Sequence, residues 1–132
     1  MTEIMFKHLK MSIQSRLFGR YLLNLAVDSG IVSFTVDLPI TYKDYLVIKT
    51  DGERASFLQA ALHQPFQLQE TRLGRAEQRR YLDAILHAPK NETEEFLTKL
   101  DRGRANGAIA NMLRITSGKD SAAIRNGEWF AR

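Results

Sequence analysis

The sequence predicts an α+β protein, in which a small antiparallel sheet of two or three strands packs against an N-terminal helix and a mainly helical C-terminal half. Three observations favour this class: apolar residues at helical spacing near the start, one segment of strict alternation, and repeated helical spacing after it. The 132 residues fit one domain. We divide it into an α+β core over 1–101 and a basic helical segment over 102–132.

The first predicted element is a helix over residues 2–27. Apolar residues recur there every four positions, which is typical of the buried stripe of a helix: Met5, Leu9, Ile13 and Leu17. Gly30 follows this segment and can adopt the left-handed conformation in which many helices end.

The predicted sheet begins with the clearest strand of the chain, residues 32–38, where apolar and polar residues alternate strictly. Pro39 is expected to end this strand. A more continuously apolar strand follows over 45–50, so residues 40–44 form the loop of a hairpin. The alternating residues 66–69 are a candidate third strand at the edge of the sheet.

Helical spacing dominates the remainder of the chain. The expected helices cover residues 53–63, 75–87, 91 to about 101, 108–115 and 120–132. Pro65 and Pro89 are predicted to end the first two of them. Asn91 is expected to cap the third, with Glu94 at the position that completes a capping box.

Charge is segregated along the chain, whose formal net charge is +4. Residues 72–90 carry five cations against two acids, and residues 102–132 carry six cations against two acids. Local charge sets the field that a partner meets, so a modest average can conceal strongly basic surfaces. The pattern indicates an acidic partner, most simply nucleic acid.

The densest arginine cluster lies at the start of the predicted helix 75–87. Arg72, Arg75 and Arg79 share one helix face at spacings i, i+3 and i+7, and Arg80 is adjacent. The planar guanidinium pairs with two phosphate oxygens at once, so this face is a candidate phosphate-binding surface. The alternative is an ordinary solvated helix surface whose charge is balanced by nearby acids.

The C-terminal segment is the second candidate, because residues 105–130 have the order helix, turn, helix of a DNA reader. The spacing from Ala110 to Ile124 is longer than usual for that motif, and a tight helix contact is the simpler alternative. The complete set of predicted nucleic-acid contacts is Arg72, Arg75, Arg79, Arg80, Arg102, Arg104, Arg114, Lys119 and Arg125.

Trp129 and Phe130 stand almost at the end of the chain, where side chains usually fray. Either they fold back onto the core or they remain exposed and anchor a partner. The large apolar area of a Trp favours folding back.

Several classes of function lack support in the sequence. There is no cysteine, which excludes disulfides and zinc–thiolate sites. No catalytic motif is visible and the three histidines are scattered, so we predict no catalytic residue, no metal ligand and no cofactor, and we lean against an enzyme. The N-terminal cations do not share one helical stripe, which argues against a membrane partner. Without a visible signal peptide, we expect a cytoplasmic protein.

The function that we predict is a small, basic, non-enzymatic accessory or regulatory protein that associates with DNA or RNA through phosphate contacts. The alternative is a protein-binding modulator, such as a small inhibitor or adaptor, that docks on an acidic surface of a larger complex. The first hypothesis requires that the cations converge in the folded protein and are not neutralised by its own acids.

Overall fold

The computed structural model describes residues 2–6, 9–30, 32–67 and 73–131, with the backbone alone at 2–6 and at 29. It confirms the α+β class: an antiparallel sheet precedes a helical C-terminal half. The sheet has strand order β1-β2-β3-β4, and its strands are β1 Thr2–Phe6, β2 Met11–Arg16, β3 Arg20–Ser29 and β4 Val32–Ile40.

The N-terminal helix predicted over 2–27 is wrong, because three strands cover that segment. Spacing by four is a multiple of two, so it fits the inward face of a strand as well as a helix stripe. In β2, Met11 and Ile13 are buried, and in β3 the inward residues are Leu23, Leu25 and Val27. Gly30 does take a positive φ of 69°, but it follows a strand and not a helix.

The strand predicted over 32–38 is confirmed and extends to Ile40. Pro39 lies inside it without disrupting the ladder, because β4 is at an edge of the sheet, where a missing N–H leaves no partner unsatisfied. Its inward face is buried only towards its end, at Leu38 and Ile40.

The second strand predicted over 45–50 is wrong, because helix α1 covers Tyr42–Thr50. Thr41 and Asp44 form a reciprocal capping box at its start: the Asp44 N–H donates to the Thr41 hydroxyl, and the Thr41 N–H donates to the Asp44 carboxylate. The Thr-x-x-Asp spacing carried this signal in the sequence. A short apolar run does not by itself distinguish a strand from a helix.

Helix α2, Gly52–Gln67, is the centre of the molecule. Nearly every residue from Arg54 to Phe66 is buried, so α2 is enclosed by the sheet and the other helices. It continues through Pro65, which was predicted to end it, and it includes Phe66 and Gln67 of the predicted edge strand. Residues 68 and 69 of that strand lie outside the described residues.

The helical half otherwise follows the prediction closely, except that the last helix, predicted over 120–132, covers only Ser121–Arg125. Its elements are α3 Arg75–Leu82, a π-turn Asp83–His87, α4 Lys90–Arg102, α5 Ala108–Ser117 and α6 Ser121–Arg125. The expected capping box at Asn91 is absent: α4 begins one residue earlier, after Pro89, and Glu94 accepts hydrogen bonds from the chain terminus instead. Among the described residues, no helix is both long enough and apolar enough to cross a bilayer.

Candidate nucleic-acid interface

Four of the nine predicted basic residues are held by other groups of the protein. Three form ion pairs: Arg79 with Asp44 at 2.7 Å, Arg104 with Glu77 at 3.0 Å and Lys119 with Glu53 at 2.7 Å. Arg102 Nη2 donates to the Arg125 carbonyl at 2.5 Å. These groups would have to leave their partners before they could bind a phosphate.

The other predicted cations are less constrained. Arg80 lies 5.7 Å from the centroid of the Phe96 ring, and Arg114 donates to Asn111 on its own helix. Within the described ranges, Arg75, Arg80, Arg114 and Arg125 take part in no ion pair. Arg72 lies outside the described residues.

The helix-turn-helix interpretation of the C-terminal segment does not fit the structure. Helix α6, Ser121–Arg125, has only five residues, too few to lie along a major groove with several base contacts. Lys119, which would precede it, is bound to Glu53 of α2 and lies over the Phe57 ring. The segment packs against the core, which is the simpler alternative that its small residues suggested.

The chain terminus folds back onto the core, as the large apolar area of its residues predicted. Trp129 is 1% exposed and Phe130 5% exposed, so neither ring can anchor a partner from this position. Glu94 accepts the N–H of both residues, and the Trp129 indole N–H donates to Thr98. The exposed-anchor alternative is therefore wrong.

A buried carboxylate, Asp44, joins three segments of the chain. It is fully buried, and Arg79 donates to both of its oxygens at 2.7 Å. His87 Nε2 lies 2.7 Å from Oδ1, and the Thr41 N–H donates to Oδ2 at 2.8 Å. Burial alone raises the pKa of Asp44, but the hydrogen bonds from Arg79, Thr41 and His87 outweigh it and lower the pKa to about 2.

This carboxylate fixes α3 against the start of α1. Arg79 is therefore a structural residue, and its pKa is raised by the hydrogen bond from its guanidinium to Asp44. Arg75 lies one turn before Arg79 on the same helix, so the same pairing positions Arg75 beside Thr41 and Tyr42.

Arg75 lines an open cleft of about 680 Å³ between the sheet and α1. Arg16 and Arg20 line the same cleft from the ends of β2 and β3, and Asp37 of β4 is its one acidic lining residue among those described. None of the three arginines has an ion pair within the described part of the protein. The cleft therefore carries uncompensated positive charge.

Aromatic rings form one wall of this cleft. Tyr21 and Tyr42 line it, and Tyr45 stacks on Tyr21 with ring centroids 5.1 Å apart. Tyr42 completes the cluster at 5.8 Å from Tyr21 and 6.0 Å from Tyr45, and it remains more than half exposed. Such rings offer flat apolar surfaces beside the guanidinium groups.

The β2–β3 hairpin tip, Leu17–Gly19, projects beside the cleft. Phe18 is 94% exposed and Leu17 81% exposed, so the core uses neither side chain. The backbone of Phe18 has φ 65° and ψ 32°, a left-handed conformation that is strained for a bulky residue. Arg16 and Arg20, on either side of the tip, are direct register partners.

Sequence reasoning missed Arg16, Arg20 and the hairpin tip because it assigned them to a helix. The available signal was local: Arg16 and Arg20 flank Leu17-Phe18-Gly19 symmetrically, and apolar and polar residues alternate over 11–14 before the tip. Of the predicted contacts that the structure describes, only Arg75 lines the cleft.

The other titratable groups do not suggest a second site. His63 is buried in α2, where desolvation lowers its pKa, and it lies 3.4 Å from the Asp28 amide. Within the described residues, no group of three or more His, Cys, Asp or Glu side chains could hold a metal ion.

Comparisons of the chain with protein-family models, with curated proteins and with solved structures gave no match.

Proposed function

We propose that the protein is a non-enzymatic accessory or regulatory protein that binds nucleic acid in the cleft lined by Arg16, Arg20 and Arg75. The observation that carries the proposal is the convergence of two arginines of the β2–β3 hairpin with the distant Arg75, opposed by Asp37 alone among the described lining residues. None of the three guanidinium groups is paired with an acid among the described residues, although Arg16 donates to the Gln14 side chain at 3.0 Å. A guanidinium without an acidic partner is available for two-pronged contact with a phosphate.

The local energetics support a role for the arginines beyond folding. Arg16 and Arg20 are directly opposite each other in an antiparallel ladder, an arrangement that destabilises a sheet when both residues carry the same charge. A polyanion bound between them would remove this repulsion. The protein thus retains a locally unfavourable pair at the place where the anion would bind.

The test is a titration of a fluorescently labelled oligonucleotide at about 50 mM and about 200 mM salt, with anisotropy as the readout. Three phosphate contacts predict that the affinity falls by about 20- to 40-fold between these two concentrations. Changing Arg20→Gln should weaken binding about 10-fold at the lower salt and reduce the salt slope by about 1.

The matched control is Arg114→Gln, which removes the same charge from α5 at a residue of the original C-terminal candidate. It should leave affinity within about 2-fold of the wild type. Equal losses of affinity for Arg20→Gln and Arg114→Gln would indicate non-specific electrostatic attraction and would contradict the cleft as the binding site. Absence of binding at the lower salt would remove the nucleic-acid function altogether.

One observation favours the second candidate, a modulator that docks on an acidic protein surface. Leu17 is exposed at the hairpin tip beside Arg16, and an exposed aliphatic side chain offers apolar contact to a protein surface but no ring on which a base could stack. A protein retained from nuclease-treated lysate by the wild type, and lost with Leu17→Ala, would favour this candidate.

A further inference from the structure

We propose that the nucleic acid bound at the cleft is single-stranded, and that an unpaired base stacks on the Phe18 ring while the adjoining phosphates contact Arg16 and Arg20. This inference rests on the proposed function and names the substrate class of the same site. It concerns Phe18, which neither the fold nor the phosphate contacts require.

Phe18 has no structural explanation. Its ring is 94% exposed, so it contributes almost nothing to the core. Its positive φ of 65° is a conformation that glycine or asparagine would adopt at lower cost. A large aromatic side chain held in a strained backbone at an exposed tip indicates a contact made outside the molecule.

The neighbours of Phe18 define the chemistry of that contact. Arg16 and Arg20 are register partners on one face of the sheet, so two guanidinium groups flank the base of the tip. Aromatic rings beside a basic groove are the usual means by which proteins bind single strands without reading the sequence. Tyr42 is a second exposed ring at the cleft and offers a further surface on which a base can stack.

A duplex suits this arrangement less well. Its bases are already stacked on one another, and a ring on a hairpin tip can reach them only by opening a base step. An unpaired strand offers the face of every base without that cost. We therefore expect the free energy of stacking to appear as a preference for single strands.

The experiment compares a labelled oligothymidylate of about 20 nucleotides with a duplex of the same length. The wild type should bind the single strand at least about 10-fold more tightly. Changing Phe18→Ala should weaken single-strand binding by about 5- to 150-fold, the range measured for loss of one stacked base, with the salt slope unchanged. Phe18→Trp should restore binding, because it restores a stacking surface.

Leu17→Ala is the matched control, because it removes apolar surface from the same tip without removing a ring. It should leave single-strand affinity within about 2-fold of the wild type. A 2-aminopurine base in the oligonucleotide should be quenched by the wild type and by Leu17→Ala, but not by Phe18→Ala. Exposure of Phe18 means that all variants should fold, which circular dichroism checks.

The outcomes separate this inference from the proposed function. If binding depends on salt, is equally tight for single strand and duplex and is unaffected by Phe18→Ala, then base stacking on Phe18 is wrong. Nucleic-acid binding in the cleft would still be supported. Equal losses for Phe18→Ala and Leu17→Ala would overturn it in favour of a general apolar contact, such as that of a protein partner. Failure to bind either oligonucleotide would overturn both proposals.

Discussion

The hairpin end of the sheet and the C-terminal basic segment both carry arginines, yet their cations differ in what surrounds them. In residues 102–125, Arg104 and Lys119 are paired with acids, and Arg102 is bonded to a carbonyl. At the hairpin end, Arg16 and Arg20 have no acidic partner among the described residues and stand opposite each other. The number of cations in a segment is therefore a poor guide to the charge available for a ligand.

The difference follows from the elements that carry the cations. In the helical half, packing against α1 and α2 brings some of the cations to acids: Arg79 meets Asp44, and Lys119 meets Glu53. The tip of a hairpin projects beyond its neighbours, and its side chains meet solvent. Removing single members of each set tests this account.

The largest effect is expected from Asp44→Ala. The change leaves Arg79 and His87 without their shared acceptor and removes half of the α1 capping box. Because the Asp44 side chain is buried and the Arg79 side chain is 38% exposed, losing this half-buried ion pair should cost about 3 kcal/mol of unfolding free energy, measurable by urea denaturation. Asp37→Ala, at an exposed acid of the cleft, should change stability by less than about 0.5 kcal/mol. Similar losses of unfolding free energy for the two variants would contradict the distinction between the ion-paired Asp44 and the unpaired charges of the cleft.

Lowering the pH should reduce the stabilisation that the buried Asp44 carboxylate provides, whereas the arginines of the cleft keep their charge. The pKa of Asp44 is about 2 in the folded protein and 3.8 without the fold, so its stabilisation is complete above about pH 5 and is lost as pH falls towards 2. The contribution is about 2 kcal/mol.

Denaturation measured from pH 6 to pH 2 in the wild type and in Asp44→Asn isolates this carboxylate. The pKa of Asp28 is lowered by its hydrogen bond from Ser33. Burial raises the pKa of Glu53, but the hydrogen bonds from Lys119 and the Ala131 amide, with the charges of Lys119 and Lys90, together outweigh burial and lower the pKa. Both groups remain in each protein, so the difference between the two curves belongs to Asp44. Parallel curves would show that Asp44 is not stabilised as a carboxylate.

The smallest expected effect is a change in stability that differs in sign between two arginine variants. Arg20→Gln removes repulsion across the ladder and should stabilise the protein by about 0.2–1 kcal/mol. Arg104→Gln removes an exposed ion pair with Glu77 and should destabilise it by up to about 1 kcal/mol. The same change in charge thus acts in opposite directions, and thermal unfolding at low salt measures it. High salt should reduce both effects, since it screens exposed charges.

The sequence predicted more of the helical half than of the sheet. Helix spacing, proline and glycine locate α3 to α5 within a few residues, because their buried stripes have a period that no strand shares. In the N-terminal segment the spacing by four satisfied both periods, and Gly19 could equally be a weak point in a helix or a turn. Because residues 2–27 were assigned to a helix, the hairpin that carries Arg16 and Arg20 could not be predicted, and neither could the position of the candidate site.

By itself the sequence determined the α+β class, the strand β4 and the burial of Trp129. Strict alternation is a local property that favours a strand, and the large apolar area of a Trp side chain favours burial whichever residues surround it. Only the tertiary structure decided which arginines are free. Arg79 meets Asp44 across 35 residues and Lys119 meets Glu53 across 66, and no local pattern records which distant acid a cation will reach. The free cations are those that the packing leaves without such a neighbour.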